Sequence, residues 1–140
     1  MEKILTRKEY HAKKWKKVYG LEDCPFCDKN KISPIWKWKY WFILRNISPY
    51  SWDENHLMAI PYSHKKYSIE LSVKELSELK EIHLFVKTFY WEEQYFSSTR
   101  ETMWNRSVEH IHMHFIPWRL QWKYLRKMLE NQGYPIKEEL

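Results

Sequence analysis

Apolar side chains recur every three or four residues through the middle of the chain, over residues 73–95. At the start of this stretch, Ser72 and Glu75 have the spacing of a capping box, in which each side chain accepts a hydrogen bond from the backbone N–H of the other residue. Together these signals predict one long amphipathic helix. Similar patterns predict an N-terminal helix over residues 6–20 and a C-terminal amphipathic helix over residues 120–131.

Strands are predicted on both sides of the long helix. Alternating Trp and Lys followed by four apolar residues predict a strand over 35–45, and an apolar run closed by Pro61 predicts another over 56–60. After the helix, strands are predicted over 99–104 and over 110–116, where apolar and polar residues alternate strictly. This order of strands, helix and strands predicts an α+β fold with a mainly antiparallel sheet.

The chain has the size of one domain. Its 140 residues contain no low-complexity tract, repeat or linker, so we expect a single domain over 1–140 with helical extensions at 1–20 and 119–140. There is no run of about 18 apolar residues of the kind that crosses a membrane. The N-terminal residues lack the apolar core and cleavage site of a signal peptide, so the expected location is cytoplasmic.

The composition narrows the classes of function. With 2 glycines, far apart, the chain has no phosphate-binding P-loop, no GxGxxG dinucleotide fingerprint and no GxSxG nucleophile elbow. Lysine and arginine total 24 against 18 acidic residues, and this net charge of +6 favours phosphate-bearing ligands. Aromatic residues reach 18%, with 9 tryptophans. Two interpretations stay open: stacking on nucleic acid bases, or a core of large side chains beneath a solvated basic surface.

The two cysteines, Cys24 and Cys27, are separated by two residues in a predicted loop. This spacing occurs in zinc sites, in redox pairs and in pairs of buried thiols. A redox pair requires a strand-to-helix turn in a parallel βαβ unit, which the predicted order of elements lacks. A zinc site would need two further ligands to complete its tetrahedron.

Three histidines, His110, His112 and His114, occupy every second position of the predicted strand over 110–116. Because side chains alternate along a strand, all three imidazoles are expected on one face, with the apolar residues between them directed to the core. Such a face suits a metal ion, a phosphate group, or both. The alternative is a row of partly exposed histidines on an edge strand.

The sequence His-Ile-His-Met-His-Phe-Ile resembles the motif His-φ-His-φ-His-φ-φ, with φ apolar, of the histidine triad (HIT) superfamily of nucleotide hydrolases and transferases. The upstream order is similar to the family's as well: a strand and turn, a second strand, Pro61-x-x-His64 and a long helix. The resemblance covers residues 24–117. It implies a HIT-like fold, with a five-stranded, mainly antiparallel sheet and one long helix, usually in a homodimer.

Histidine triad proteins that keep a cysteine pair resemble the galactose-1-phosphate uridylyltransferase branch, where Pro-x-x-His and the first triad histidine complete a zinc site. The resemblance therefore implies a structural Zn²⁺ held by Cys24, Cys27, His64 and His110. A site with four protein ligands is closed, and so is structural rather than catalytic. Thiols without a metal remain the alternative.

The resemblance also implies covalent transfer of a nucleotidyl group to the central histidine, His112. This ring must be neutral to attack phosphorus, and the backbone carbonyl of His110 is expected to hold its N–H. His114 and Ser107 are expected to donate hydrogen bonds to the nonbridging phosphate oxygens, with Asn105 as a further donor.

The nucleoside is expected against the strand face shared by Phe42, Leu44 and Asn46, with Asn46 at the ribose. The chain departs from the family's pattern in four ways. Asn46 stands where the family has an acidic residue, Asn55 stands where it often has glycine, and the loop before the triad lacks the usual glycines. The predicted N-terminal helix and the high tryptophan content are not family features either.

The leading prediction is a nucleotide hydrolase or transferase that cleaves a nucleoside phosphoanhydride or phosphoramidate, with dinucleoside polyphosphates among the family's usual substrates. Two alternatives stay open. One is a deadenylylase acting on adenylylated nucleic acid ends, and the other is a zinc-stabilised module that binds nucleotides or nucleic acid without turnover. The expected partners are a nucleotide and a second copy of the chain; no membrane partner is expected, and a nucleic acid is not favoured.

Overall fold

The computed structural model describes residues 18–47, 55–91, 93–103, 106–117, 126–127 and 129–130. Within these stretches the structure has five strands, one long α-helix and, just before that helix, a single 3-10 turn. Their bounds, in chain order, are β1 Trp36–Lys37, β2 Trp41–Arg45, β3 Leu57–Pro61, the 3-10 turn Ser68–Glu70, α1 Val73–Tyr90, β4 Tyr95–Ser98 and β5 Met113–Pro117.

The strands form one antiparallel sheet in the order β1-β2-β3-β5-β4. β5 follows β4 in the chain but lies between β3 and β4 in the sheet. The strand that carries the end of the triad is therefore hydrogen-bonded on both sides. The predicted α+β class, with a five-stranded antiparallel sheet and one long helix, is confirmed.

The two faces of the sheet carry separate apolar clusters. The face packed on α1 buries residues of the sheet and of the helix, among them Trp41, Ile43, Leu57, Ala59, Phe115, Ile82, Val86 and Tyr90. The opposite face buries Phe42, Leu44, Met58 and Ile60, with Phe26 and Ile32 packed against them. The predicted buried run over 41–44 is confirmed. Because side chains alternate along a strand, Trp41 and Ile43 belong to the first cluster and Phe42 and Leu44 to the second.

Helix α1 begins where the sequence predicts and ends earlier. The Ser72 side chain accepts from the N–H of Glu75, and the Glu75 carboxylate accepts from the N–H of Ser72, so the capping box is confirmed. The predicted end at residue 95 is wrong. Trp91 takes a φ of 56°, outside the helical region, and the helix ends at Tyr90.

Of the strand predicted over 99–104, residues 99–103 are described and are not in a strand, so this prediction is wrong for them; residue 104 lies outside the described residues. The first described strand after the helix is Tyr95–Ser98. This strand pairs with β5 from Tyr95 opposite Pro117 to Ser98 opposite His114. Pairing with an interior strand of the sheet, rather than the local apolar period, decides the conformation of these residues.

The strand predicted over 35–45 is a hairpin of two strands, β1 and β2. Its turn is held by Glu78 of α1, whose carboxylate accepts hydrogen bonds from the N–H groups of Tyr40 at 2.7 Å and Trp41 at 3.1 Å. These contacts come from a helix that lies 38 and 37 residues further along the chain. Local alternation therefore contained no signal for the break.

Strands β3 and β5 both begin later than the sequence predicts. β3 starts after His56 and includes Pro61, which was expected to lie beyond it. β5 starts at Met113, so the third triad histidine lies in the strand and the first two precede it. Just before β5, the N–H of Ile111 donates instead to the carbonyl of Lys65 at 2.7 Å.

The predicted terminal helices fall mostly outside the described residues. Of the helix predicted over 6–20, the structure describes 18–20, which are not helical, so its predicted end at residue 20 is wrong. Tyr19 instead forms a parallel bridge with Val108. Within the helix predicted over 120–131, the four described positions are helical. No helix in the described part of the chain is long and apolar enough to cross a membrane.

Tyr90 joins the end of α1 to the sheet, and its hydroxyl tests how much this junction stabilises the fold. The hydroxyl lies 2.5 Å from the carbonyl oxygen of Asn55 and 3.0 Å from that of Phe115. We expect Tyr90→Phe to lower the free energy of unfolding by about 1–2 kcal/mol, because buried acceptors lose their donor. Chemical denaturation measures this, with the exposed Tyr62→Phe as control. Equal stability of the two variants would contradict the prediction.

Candidate functional site

His114 lies in β5, on the sheet face opposite α1. It is flanked by Met58 of β3 and Ser98 of β4. Its Nδ1 is 2.8 Å from Nε2 of His56, whose side chain is fully buried. At this distance the two nitrogens share one proton, so His56 and His114 form a hydrogen-bonded pair.

His112 precedes β5 and is half-buried. Its Nδ1 lies 2.9 Å from the carbonyl oxygen of His110, which is the contact expected from the sequence. A carbonyl oxygen can only accept, so Nδ1 carries the proton and the lone pair of the neutral ring is on Nε2. The ring of His112 is 4.8 Å from that of His114 between centroids.

Phe26, between the two cysteines, packs on both the triad and the sheet. Its ring makes edge contacts with the rings of His110 and His112, at centroid distances of 5.9 and 5.2 Å. With Ile32 it also packs against the buried cluster that contains the predicted nucleoside-binding residue Phe42. Phe26 and Ile32 were not among the residues predicted for the site. The position of Phe26 between the two cysteines could have indicated that it lies near the metal ligands.

The structure brings some of the predicted nucleotide-binding residues to this face. Phe42 and Leu44 are buried in the same cluster, beneath Phe26 and Ile32. Asn46 follows β2 and is half-buried, and its backbone N–H donates to the carbonyl of His56 at 2.8 Å. The predicted donor at position 105 lies outside the described residues.

The loop before the triad is held by a buried arginine. The Arg106 guanidinium donates hydrogen bonds to four backbone carbonyls, those of Lys66, Arg100, Val108 and Glu109. Burial lowers the pKa of this group, and the four acceptors compensate for its lost hydration. These contacts hold the described residues 106–109 against Lys66 and Arg100.

A backbone segment from the N-terminal side holds the same loop. The N–H of Tyr19 donates to the carbonyl of Ser107 at 2.9 Å, and the carbonyl of Tyr19 accepts from the N–H of Glu109 at 2.8 Å. Ser107, a predicted phosphate donor, is thus fixed at its backbone and half-buried three residues before His110.

The four predicted metal ligands converge, and their ligand atoms lie within 4.8 Å of one another: Cys24, Cys27, His64 and His110. The Nδ1 of His110 is 3.4 Å from both sulfur atoms, and the Nδ1 of His64 is 3.4 Å from the Sγ of Cys27. Zinc bonds of about 2.3 Å to sulfur and about 2.1 Å to nitrogen place such atoms about 3.5 Å apart in a tetrahedron. The donor set and its spacing therefore fit a zinc ion.

At pH 7 the His110 ring is ready to bind a cation, whereas the Cys27 thiol must first lose a proton. Burial lowers the pKa of His110 to about 4, so its ring is neutral at pH 7 and offers a lone pair. Partial burial and the adjacent Cys24 thiol raise the pKa of Cys27 to about 11, which keeps this thiol protonated when no cation is bound. Because a coordinating thiol loses its proton, metal binding here releases protons.

Each cluster histidine is anchored at its second ring nitrogen. The Nε2–H of His110 donates to the carbonyl of Pro61 at 2.7 Å, and the Nε2–H of His64 donates to the Oε1 of Glu109 at 3.0 Å. The hydrogen bond from His64 lowers the pKa of Glu109. Glu109 could not be predicted from the sequence, because spacing alone does not show which acid faces the back of a histidine ring.

No family profile and no curated protein sequence matches this chain. Solved structures do match it. A zinc-bound histidine triad family protein from Mycobacterium smegmatis is 17% identical, with a TM-score of 0.60 over 73% of this chain and 79% of that one. A HIT family hydrolase from Legionella pneumophila is 23% identical, with a TM-score of 0.57 over 71% and 96%.

A third neighbour is the diadenosine triphosphate hydrolase of Plasmodium falciparum, solved in complex with cyclomarin A. It is 16% identical, with a TM-score of 0.52 over 76% of this chain and 87% of that one. At these identities the likeness is one of fold. The chain therefore has the fold of the histidine triad proteins, and the resemblance inferred from the triad motif is confirmed at that level.

Proposed function

We propose that this protein is a nucleotide hydrolase or transferase that cleaves a nucleoside phosphoanhydride or phosphoramidate through a covalent nucleotidyl-histidine intermediate on His112. The observation that carries the proposal is the 2.9 Å contact between His112 Nδ1 and the His110 carbonyl, which assigns the lone pair to Nε2. The fold shared with HIT hydrolases supports it.

The reaction has two displacement steps. In the first, the Nε2 lone pair of His112 forms a bond to the α-phosphorus, and the bond from phosphorus to the leaving phosphate or amine breaks with its electron pair; a leaving amine takes up a proton from solvent as it departs. In the second, water or another acceptor forms a bond to phosphorus as the N–P bond breaks and its electron pair returns to Nε2. The acceptor passes its proton to solvent, the nucleotide is released, and the neutral imidazole returns.

His114 stabilises charge on the phosphate in this proposal. Its Nδ1 faces His56 Nε2 at 2.8 Å, and when His56 donates across this contact the proton of His114 is on Nε2. That N–H can then donate to a nonbridging oxygen, where charge develops in the transition state. Ser107 and Asn105 are proposed as further donors.

The apolar face beside the triad is proposed as the nucleoside site. Phe26 and Ile32 supply its outer surface, Phe42 and Leu44 lie beneath them, and Asn46 binds the ribose. The asparagine amide can hydrogen-bond a ribose hydroxyl as a neutral group, whereas the family's acid does so as an anion.

The Cys/His cluster is proposed as a structural zinc site. Zinc bound there would contribute to folding, because a closed four-ligand site leaves no position for a substrate. The residues themselves tie the loop of Cys24 and Cys27 to the turn after β3, through His64, and to the triad, through His110.

The catalytic assignment predicts different failures for His112 and His114. We expect His112→Ala to abolish turnover of diadenosine triphosphate and of adenosine phosphoramidate, since no nucleophile remains. We expect His114→Ala to lower the rate about 100- to 1000-fold, the usual effect of losing one donor to a developing oxyanion. Steady-state kinetics measure both, and mass mapping of an acid-sensitive adduct identifies the modified residue.

His83→Ala, an exposed histidine of α1, serves as control and should keep the wild-type rate. Wild-type turnover in His112→Ala, or an adduct on another residue, would overturn the assignment. Nucleotide binding without turnover in the wild type would favour a binding module instead, and turnover of adenylylated DNA alone would favour a deadenylylase.

The zinc proposal predicts about one zinc per chain in freshly purified protein, measured by elemental analysis. We expect Cys24→Ser to lose most of this metal and to melt on the order of 10 °C lower, because metal binding contributes folding free energy. Chelator-treated wild type is the control and should melt near the variant. Fresh, unchelated protein without zinc would contradict the proposal.

A homodimer through α1 and the edge strand β4 is the proposed assembly. Val73 and Leu84 are 79% and 61% exposed, and their spacing places them along one line of the helix, opposite its buried residues. Trp91, just beyond the end of the helix, is 76% exposed. β4 lies at one end of the strand order. Apolar helix surface beside a sheet edge is suited to pairing with a second copy.

Light scattering at micromolar concentration should therefore give a mass close to twice the 17.6 kDa of one chain. We expect Leu84→Asp to shift this mass toward the monomer, because it places a charge in the apolar line. Ile69→Asp, which alters an apolar side chain 91% exposed outside α1, should leave it unchanged. A wild-type mass of one chain would contradict the proposed dimer.

A further inference from the structure

Glu109 lies directly before the triad and faces the Cys/His cluster from behind. Its Oε1 accepts the Nε2–H of His64 at 3.0 Å, while the opposite nitrogen of that ring, Nδ1, lies 3.4 Å from the Sγ of Cys27. The ring of His64 is therefore held between a carboxylate and a thiol, with one nitrogen turned to each.

Glu109 itself is held from several directions. Its backbone N–H donates to the carbonyl of Tyr19 at 2.8 Å, and its carbonyl accepts from the buried guanidinium of Arg106. Its second carboxylate oxygen, Oε2, lies 3.7 Å from Nζ of Lys66. An acceptor fixed at its backbone and paired at its other oxygen can define the orientation of a ring, whereas a mobile surface acid cannot.

The two cluster histidines have the same arrangement. His110 presents Nδ1 to the sulfurs and donates Nε2–H to the Pro61 carbonyl at 2.7 Å. His64 presents Nδ1 to Cys27 and donates Nε2–H to Glu109. A neutral imidazole has one N–H and one lone pair, so an acceptor at Nε2 commits the lone pair to Nδ1.

We propose that Glu109 is a positioning residue of the metal cluster, which fixes the tautomer and ring orientation of His64 so that Nδ1 can bind zinc. The inference rests on the proposed zinc site and goes beyond it, since the ligand set does not require Glu109. Acceptors behind ligating histidines set ring orientation and raise ligand basicity, and their loss typically lowers metal affinity 10- to 100-fold.

The test is the zinc affinity of the full-length chain, measured by competition with a chromophoric chelator. We expect Glu109→Ala to bind zinc about 10- to 100-fold more weakly than wild type. Glu109→Gln keeps an oxygen that can accept from Nε2–H and should recover part of this loss. Glu81→Ala, which removes an exposed carboxylate from α1, is the matched control and should bind as wild type does.

Two further measurements separate positioning from a general effect on folding. After removal of the metal by a chelator, Glu109→Gln and wild type should unfold at the same temperature. The two proteins should then differ only in how they bind zinc. In nitrogen NMR of the zinc-loaded protein, His64 should have its proton on Nε2 in wild type, and in Glu109→Ala this proton should lose its protection from exchange.

The possible failures are distinguishable. A wild-type chain that binds no zinc would overturn the proposed metal site. A wild-type chain that binds zinc, with Glu109→Ala binding equally tightly, would overturn the role of Glu109 alone. An equal loss of stability in chelated Glu109→Gln and Glu109→Ala would also overturn it, because the residue would then act on the fold.

Discussion

The hydrogen bonds that hold one nitrogen of each site histidine determine what the other nitrogen can do. The His110 carbonyl holds Nδ1 of His112, the Pro61 carbonyl holds Nε2 of His110, and Glu109 holds Nε2 of His64. An imidazole free to rotate and exchange tautomers would serve equally as donor, ligand or nucleophile. The fold assigns each ring a single role by supplying an acceptor at one nitrogen.

His110 links the two parts of the site through different atoms. Its side chain belongs to the Cys/His cluster, and its backbone carbonyl holds the ring of His112. The path of the chain here depends on buried contacts around the preceding loop, above all the guanidinium of Arg106 and its four carbonyl acceptors. This buried cation satisfies four backbone acceptors and joins residues 106–109 to Lys66 and Arg100.

Features that depend on residues close together in the chain could be predicted from the sequence. The capping box of Ser72 and Glu75 placed the start of α1, and the spacing of cysteines and histidines, with the family resemblance, indicated which four residues converge. Long-range contacts decided the rest. The Glu78 carboxylate holds the turn that divides a predicted strand into a hairpin, and pairing with β5 forms β4 over Tyr95–Ser98, where the sequence predicts no strand. The local pattern of apolar and polar residues does not indicate such contacts. For the same reason it does not indicate that Glu109 lies against His64.

The position of Phe26 would couple the binding of a cation at the Cys/His cluster to the binding of a nucleotide at His112. Cys24 and Cys27, at the two ends of the Cys-Pro-Phe-Cys loop, belong to the cluster, while the ring of Phe26 lies against His112. In the functions proposed above, a cation held by the thiols would restrain this loop, and a nucleotide held at His112 would contact the Phe26 ring. Each ligand would then favour the conformation that the other binds. Linkage makes such coupling reciprocal, so each would raise the affinity for the other by the same factor.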